Sequence, residues 1–307
     1  MFACGVLGVA APAWGQRWEA RAGERRRVVF SVRLERSRGL GGRELQAADL
    51  ELSLRCAEEV ASVDSRGVVR GVLRVRSLAG AMHARMAGLR MPPLRHDTAS
   101  SAANEGGPLA ALRAGVGKEL RFARGPRGEV LELAGGSALR AAICARAKGG
   151  GWPSFGSGPL LEQLTAVLAD ECLRDALDLL WRVLPPPGAG SRWREERRER
   201  LPLLGALVYA SRREARREGE EFVVRARAEE GARIEATAAA AGGTGVRDLE
   251  LRGAEVAGEA RFRRGRLAAS EARRRLRGRG RLGLWWLELD ARARLRYEVE
   301  GPRRRVF

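Results

Sequence analysis

The chain has 307 residues, of which 45% are hydrophobic and 31% charged, and its formal net charge is +19. This much apolar material can build a core, which excludes a wholly disordered protein, and no run of 18 apolar residues is present for a membrane-spanning helix. Two histidines and four cysteines exclude a His-rich metal site, a zinc-finger array and a disulfide-dense mini-fold.

The first 15 residues carry no charge and end in Ala13-Trp14-Gly15, which places small residues at positions −3 and −1 before Gln16. A signal peptidase requires this pattern, so we expect a signal peptide over residues 1–15, with a start that lies upstream of Met1 if the peptide is truncated. A buried N-terminal strand is the alternative. The predicted location is periplasmic or secreted. Cleavage leaves three cysteines, which allow at most one disulfide: Cys56, Cys144 and Cys172.

Residues 16–147 form the predicted N-terminal β-rich half. Apolar residues alternate with polar ones along 28–35 and 50–56, the pattern of half-buried strands. A turn at 64–67 leads to a return strand from Val69. The later elements expected in this half are a loop over 99–108, a short helix over 109–115 and a hairpin about Gly125–Gly128.

Residues 148–159 are rich in glycine and proline and predict a linker, and residues 160–307 form a C-terminal half that opens with one helix. This helix is predicted over 160–184, because apolar residues recur at helical spacing and Pro185 ends the run. Its polar positions, which include Asp175 and Asp178, are expected to face solvent.

The remaining C-terminal residues again alternate as strands do. Residues 261–281 predict two surface strands around Gly265, and the unbroken alternation over 285–300 would extend roughly 50 Å. Strands of that length curve. We therefore predict an α+β fold, mainly antiparallel β, in which a long curved or wrapped sheet, or barrel-like sheets, packs on one principal helix over 160–184.

Several short motifs mark the turns of this chain. They are Gly117-Lys118-Glu119-Leu120 with Pro126-Arg127-Gly128-Glu129-Val130, Leu184-Pro185 followed by Gly188 and Trp193, and Gly258 to Phe262 followed by Gly265 and Ser270. The chain resembles a family of secreted bacterial proteins of unknown function. That family has a strand pair, a G-K-x-L/P-x-G-x-V hairpin, a helix, an LP…GxxW turn and a C-terminal β-meander. The resemblance implies this fold and export, and it implies no activity.

One candidate function is the binding of an apolar small molecule between sheet and helix, because long curved sheets readily enclose cavities. The protein would then be an exported, non-enzymatic protein without a cofactor. The alternative is that the same residues simply form the core. The candidate lining residues are Leu164, Leu168, Leu180, Trp181, Trp285, Leu287 and Leu289.

The alternative function is the binding of a polyanion, such as an anionic polymer of the cell envelope, to the arginine-rich segment 261–281. Arginine beside aromatic residues can grip phosphates and stack on bases, and Trp285 and Trp286 follow the segment. Much of the arginine content reflects a GC-rich genome, because only two lysines accompany it. The candidate residues are Arg261, Arg263, Arg264, Arg266, Arg273, Arg274, Arg275, Arg277, Arg279 and Arg281.

Two further site hypotheses rank lower. All non-initiator methionines and both histidines fall within fifteen residues, and these soft ligands suit Cu(I), although methionines also fill irregular cores. They are Met82, His83, Met86, Met91 and His96. A hydrolase-like enzyme ranks third, from His96-Asp97-Thr98 and Asp64-Ser65, but no G-x-S-x-G, P-loop or H-E-x-x-H motif is present. We predict no catalytic residue.

Overall fold

The computed structural model describes residues 20–40, 43–86, 89–90, 92–100, 108–149, 161, 165–201, 205–235, 246–282 and 285–300. The strands within them are β1 (Arg25–Leu40), β2 (Arg43–Val63), β3 (Val69–Met86), β4 (Leu89–Arg90), β5 (Leu94–Asp97), β6 (Glu119–Arg124), β7 (Val130–Ala134), β8 (Arg192–Leu201), β9 (Gly205–Glu218), β10 (Glu221–Ala228), β11 (Arg233–Glu235), β12 (Val246–Arg263), β13 (Arg266–Leu282) and β14 (Trp285–Val299). The helices are a 3-10 helix (Pro108–Gly115), α1 (Gly136–Gly149) and α2 (Asp170–Trp181).

All of these strands belong to one antiparallel sheet. Its central order is β10-β12-β13-β14-β1-β2-β3-β6-β7, with β9 beside β10, β8 and β11 beside β9, and β4 and β5 beside β3. Strand β14 pairs with β1 over twelve residues of each strand, so both predicted halves of the chain contribute to the same sheet. The sheet is not closed, because no pairing joins β7 to β8 in the residues that the structure describes.

The mainly antiparallel β prediction is confirmed. Val28, Phe30 and Val32 on β1 are buried, while the residues between them face the opposite side of the sheet. This is the alternation that a sheet with one covered face requires. The expected turns at 64–67 and 125–128 are present, with Gly67 and Gly128 in the left-handed region that glycine adopts without strain.

The prediction of one principal helix over 160–184 is not confirmed, because the helical residues are interrupted and two further helices are present. Residues 161, 165 and 166 are helical, residues 167–169 form a turn, and α2 begins at Asp170, whose side chain is tied to the start of α1. Its Oδ1 accepts a hydrogen bond of 2.6 Å from the Gly136 backbone N–H, and its own N–H donates to Ser137 Oγ at 3.2 Å. Helix α1, which was not predicted, includes the first two residues of the expected linker, and residues 150–159 lie outside the description.

Helix α2 bridges the two free edges of the sheet. Asp178 Oδ1 accepts a hydrogen bond of 2.9 Å from the Val130 N–H of β7. Asp175 Oδ2 accepts one of 2.9 Å from the Arg200 N–H of β8. The two aspartates therefore satisfy edge-strand donors instead of facing open solvent as expected. None of the described helices is long and apolar enough to cross a membrane.

The core lies between the inward sheet face and the helices. Trp181 at the end of α2 is fully buried, with ring centroids 5.4 Å from Phe122 and 5.7 Å from Tyr297 in edge-to-face arrangements. The guanidinium of Arg124 lies 5.2 Å from the Trp181 ring. Arg124 also lies 3.6 Å from the fully buried carboxylate of Glu58, so this core contains compensated charge.

Candidate polyanion-binding face

A single cross-strand row on the outward face of the sheet is composed almost entirely of arginines. Seven adjacent strands, from β8 through β9, β10, β12, β13 and β14 to β1, place directly paired residues in this row. We call it the arginine row, and its members in order are Arg194, Arg212, Arg227, Ala257, Arg273, Arg294 and Arg33. Adjacent strands lie about 4.8 Å apart, so the row spans about 29 Å. All six arginines are exposed.

Carboxylates beside the arginine row reduce the repulsion within it. Glu229 lies between two members, with Oε2 2.7 Å from Arg194 Nε and Oε1 hydrogen-bonded to Arg212. Glu271 lies in the same way between Arg273 and Arg294, with 2.7 Å to Arg294 Nη2. Two guanidinium groups thus share each carboxylate, and each triplet keeps one net positive charge.

The two remaining arginines of the row differ in their partners. Arg33 pairs with Asp49 at 2.7 Å and with Glu35 at 3.2 Å. Arg227 makes no side-chain hydrogen bond or ion pair within the described part of the chain. Like charges directly opposite each other destabilise a sheet, and Glu229 compensates only Arg212 of the Arg212–Arg227 pair, so this pair costs stability in the free protein.

The pKa values of the bridging carboxylates keep these triplets charged. Hydrogen bonds from Arg194 and then Arg212 lower the pKa of Glu229. Burial by itself raises the pKa of Glu271, but hydrogen bonds from Arg294 and Arg273 outweigh it, and the net shift is downward. Both carboxylates are therefore ionised at neutral pH, and they hold the guanidinium groups in place.

The arginine row crosses a trough of about 1280 Å³ on the outward face. Eight exposed arginines and four glutamates line the trough, so its net charge is positive, while Arg213, which also borders it, is buried and pairs with Glu195. Two small outward residues, Ala257 and Ala269, lie between the charged side chains and leave the space open. The arrangement can accept an anionic molecule that lies across the strands.

The structure separates the arginines of segment 261–281. Arg261 and Arg273 line the trough, while Arg275 and Arg277 line a second hollow of about 600 Å³ further along the same face. Arg274 faces inward, where its Nη1 lies 2.8 Å from the buried Glu199.

The other candidates of the segment lie outside both hollows or outside the description. Arg263 pairs with Glu221, Arg266 with Glu24 and Arg279 with Glu250. Arg264 occupies the turn before Gly265, and the side chain of Arg281 lies outside the description. The site is therefore not one run of sequence.

Five arginines of the row were missed by the sequence analysis: Arg33, Arg194, Arg212, Arg227 and Arg294. Each lies in a different strand, and only the strand registers bring them into one row. The sequence predicts that each of these arginines lies on the outward face of its strand. It does not predict that the strand registers align them in one row.

The candidate lining residues of an apolar ligand site lie mainly in the core. Leu168, Leu180 and Trp181 are fully buried, and the hollow between α2 and the sheet measures about 20 Å³, room for about one water molecule. Leu289 is half-buried on β14. Leu164 and the side chains of Trp285 and Leu287 lie outside the description.

The copper candidates do not converge where the structure describes them. Met82 is buried in the core, and the next residue, His83, faces the opposite side of β3. His96 on β5 is paired with Gly80, and Arg113 contributes after burial to a lowered His96 pKa. Met91 and the side chain of Met86 lie outside the description. Among the described residues, no group of three or more His, Cys, Asp or Glu could hold a metal.

The residues considered for hydrolase chemistry take part in turns. Asp97 Oδ1 accepts a hydrogen bond from the Ala99 N–H, and Thr98 Oγ1 accepts one from the Leu78 N–H. Asp64 Oδ1 accepts from the N–H groups of the Asp64–Val68 turn. The described cysteines, Cys56, Cys144 and Cys172, are free thiols.

No family model matches this chain, and no curated protein matches it. Among solved structures, it is similar to lipovitellin, described for its lipid–protein interactions, at 9% identity and a TM-score of 0.49 over 92% of this chain. The chain spans 26% of that lipovitellin chain. It is also similar to an outer membrane channel of Pseudomonas putida F1, at 11% identity and a TM-score of 0.26, over 93% of this chain and 98% of the channel. Because each TM-score is below 0.5, neither similarity bears on function.

Proposed function

We propose that this protein binds an extended polyanion across its outward sheet face, along the arginine row. The observation that carries the proposal is the direct alignment of six exposed arginines on seven adjacent strands. Sheets normally place opposite charges, or neutral residues, at paired positions. An anionic chain that lies across the strands converts this unfavourable arrangement into a favourable one.

Guanidinium chemistry defines the ligand class. Each planar guanidinium offers several N–H donors in a fork that matches sulfate, phosphate and carboxylate groups. The row presents one such fork on each strand except β12, where Ala257 lies, so neighbouring forks are about 4.8 Å apart, or about 10 Å across β12. The matching ligand is a linear polymer with closely spaced anionic groups, such as a sulfated polysaccharide or a polyphosphate, that extends perpendicular to the strands.

The charge-reversing substitution Arg227→Glu tests this function most cleanly. Arg227 forms no ion pair in the described part of the chain, so its replacement breaks no internal contact, and a glutamate there faces Arg212. The matched control is Arg121→Glu on β6, which is also exposed and without a described ion pair. Both variants change the net charge by the same amount.

Affinity for heparin and for polyphosphate would be measured by fluorescence anisotropy at fixed salt. We expect Arg227→Glu to weaken binding about tenfold or more, because one charged contact becomes a repulsion. The control should stay close to the parent protein. Equal effects of the two substitutions would mean that only total charge matters, and the proposed site would be wrong.

We also infer that the protein acts by binding, without catalysis, outside the cytoplasm. The support for export is the uncharged segment that ends at Ala13-Trp14-Gly15. N-terminal sequencing of the protein from a bacterial periplasmic fraction should begin at Gln16. Retention in the cytoplasm with an intact N-terminus would refute the inference.

A further inference from the structure

A β-bulge in β3 creates a second basic feature, remote from the trough. Arg55 of β2 pairs with Ser77, but Cys56 pairs with Val75, so Arg76 is an extra residue in β3. Val75 is buried in the inward core, whereas Arg76 is exposed. The bulge thereby brings Arg76 and Ser77 together on the outward face, opposite Arg55. Bulges characteristically redirect side chains in this way.

These residues border a hollow of about 710 Å³ on strands β1 to β3, which we call the bulge hollow. Three arginines from three strands surround it, with small residues and one glutamate between them. Its lining is Arg27, Arg55, Cys56, Ala57, Arg76, Ser77, Ala99 and Glu300.

Few internal partners neutralise the bulge hollow. Arg55 has one carboxylate near it, with Asp97 Oδ2 3.7 Å from its Nη1. Glu300 also lines the hollow, and its backbone N–H donates to the Arg27 carbonyl at 2.9 Å. In the part of the chain that the structure describes, Arg27 and Arg76 form no ion pair or side-chain hydrogen bond.

The hydroxyl of Ser77 adds a neutral hydrogen-bond donor to the same lining. Ser77 is 7% exposed and lines the bulge hollow, yet its side chain has no hydrogen-bond partner among the described residues. A ligand oxygen in the hollow would accept its hydrogen bond.

We propose that the bulge hollow binds one phosphate group, either free phosphate or the terminal group of a phosphate monoester. Guanidinium groups of Arg27, Arg55 and Arg76 surround the anion, and Ser77 donates one further hydrogen bond. This site is distinct from the trough, which lies over β8 to β14 and suits a polymer.

Equilibrium dialysis with radiolabelled orthophosphate tests the site in the full chain. The parent protein should show one saturable site, and Arg76→Ala should weaken it about tenfold or more, because a charged hydrogen bond is lost. Arg27→Ala, which leaves the bulge intact, should weaken it similarly. Arg121→Ala and Arg227→Glu should leave it unchanged. Circular dichroism melts would establish that each variant is folded.

Two competitors distinguish the sources of the phosphate group. Methyl phosphate should displace orthophosphate at similar concentrations, because one oxygen of the bound anion is expected to face solvent. If methyl phosphate does not compete, the monoester part of the proposal is wrong. Inorganic sulfate, which carries no titratable proton at neutral pH, should compete as a second tetrahedral anion. The absence of saturable orthophosphate binding, or equal binding by Arg76→Ala and Arg121→Ala, would overturn the site.

Discussion

Replacing Glu195 with leucine should strongly destabilise the protein, because this one carboxylate compensates four arginines. Its oxygens lie 2.6 Å from Arg182, 3.2 Å from Arg127, 3.4 Å from Arg197 and 3.5 Å from Arg213. These arginines come from the end of α2, the β6–β7 turn, β8 and β9. The carboxylate therefore joins α2 to both free edges of the sheet.

The magnitude follows from burial. The side chains of Arg197 and Arg213 are 3% exposed, and Glu195 is 8% exposed. Removing one partner of a buried charge network costs about 3–5 kcal/mol, since the other charges stay buried. Asp178, 2.9 Å from Arg197, keeps one compensating contact, so we expect the lower part of this range.

The free energy of unfolding should depend on pH through the same Glu195 carboxylate. Burial alone raises the pKa of Glu195, but Arg197, Arg213, Arg182 and Arg127 outweigh it and lower the net pKa below its usual value. A carboxyl with a lowered folded-state pKa stabilises the fold above its unfolded-state pKa, and that stability is lost as pH falls through the folded-state pKa. Glu195→Leu should therefore remove part of the acid sensitivity of the parent protein.

Urea unfolding at neutral and acidic pH measures both effects. The control is Glu255→Leu, which removes an exposed pair with Arg277 at 3.4 Å and should cost about 0–1 kcal/mol. The double variant Glu195→Leu/Arg213→Met should recover part of the lost free energy of unfolding, because it removes one uncompensated cation. A loss for Glu195→Leu no larger than that of the control would refute this account of the cluster.

Three further predictions concern the core. Gly71→Ala should lower the free energy of unfolding by about 1–3 kcal/mol, because its Cβ would lie 2.5 Å from the Glu59 carbonyl oxygen, whereas Gly190→Ala, with open space around it, should cost little. Leu180→Ala should cost about 2–5 kcal/mol in the same urea assay, since the residue is fully buried. Cys56 should resist thiol reagents at pH 8 in the folded protein while the half-buried Cys144 reacts, because burial and then Glu58 raise the pKa of Cys56 to about 12.

The strands were predictable because their physics is local. Alternation along 28–35 and 285–300 needs only one covered face, and the structure covers the face that carries Phe30 and Leu295. Helix α1 was missed because most of its apolar residues are alanines, which give a weak amphipathic pattern. Its signal was Leu139 and Ile143, a fully buried pair four residues apart.

The helix boundaries and the candidate site depend on distant partners. Asp175 and Asp178 look like solvent-facing residues of an amphipathic helix, yet they bond to strands that the sequence places far away. The arginine row likewise requires the register of every strand pair between β8 and β1. No pattern within one segment contains that register. The sequence analysis selected the arginine-rich segment 261–281, whereas isolated arginines such as Arg227 complete the row.

The salt dependence of polyanion binding tests the central claim most directly. Each contact with a flexible polyanion contributes about −0.7 to the slope of log association constant against log salt concentration, so six arginines predict about −4. Arg227→Glu should reduce the magnitude of this slope by about 1 or more, and Arg121→Glu should leave it unchanged. A slope of about −1 or weaker for the parent protein, or equal slopes for both variants, would contradict a binding site along the arginine row.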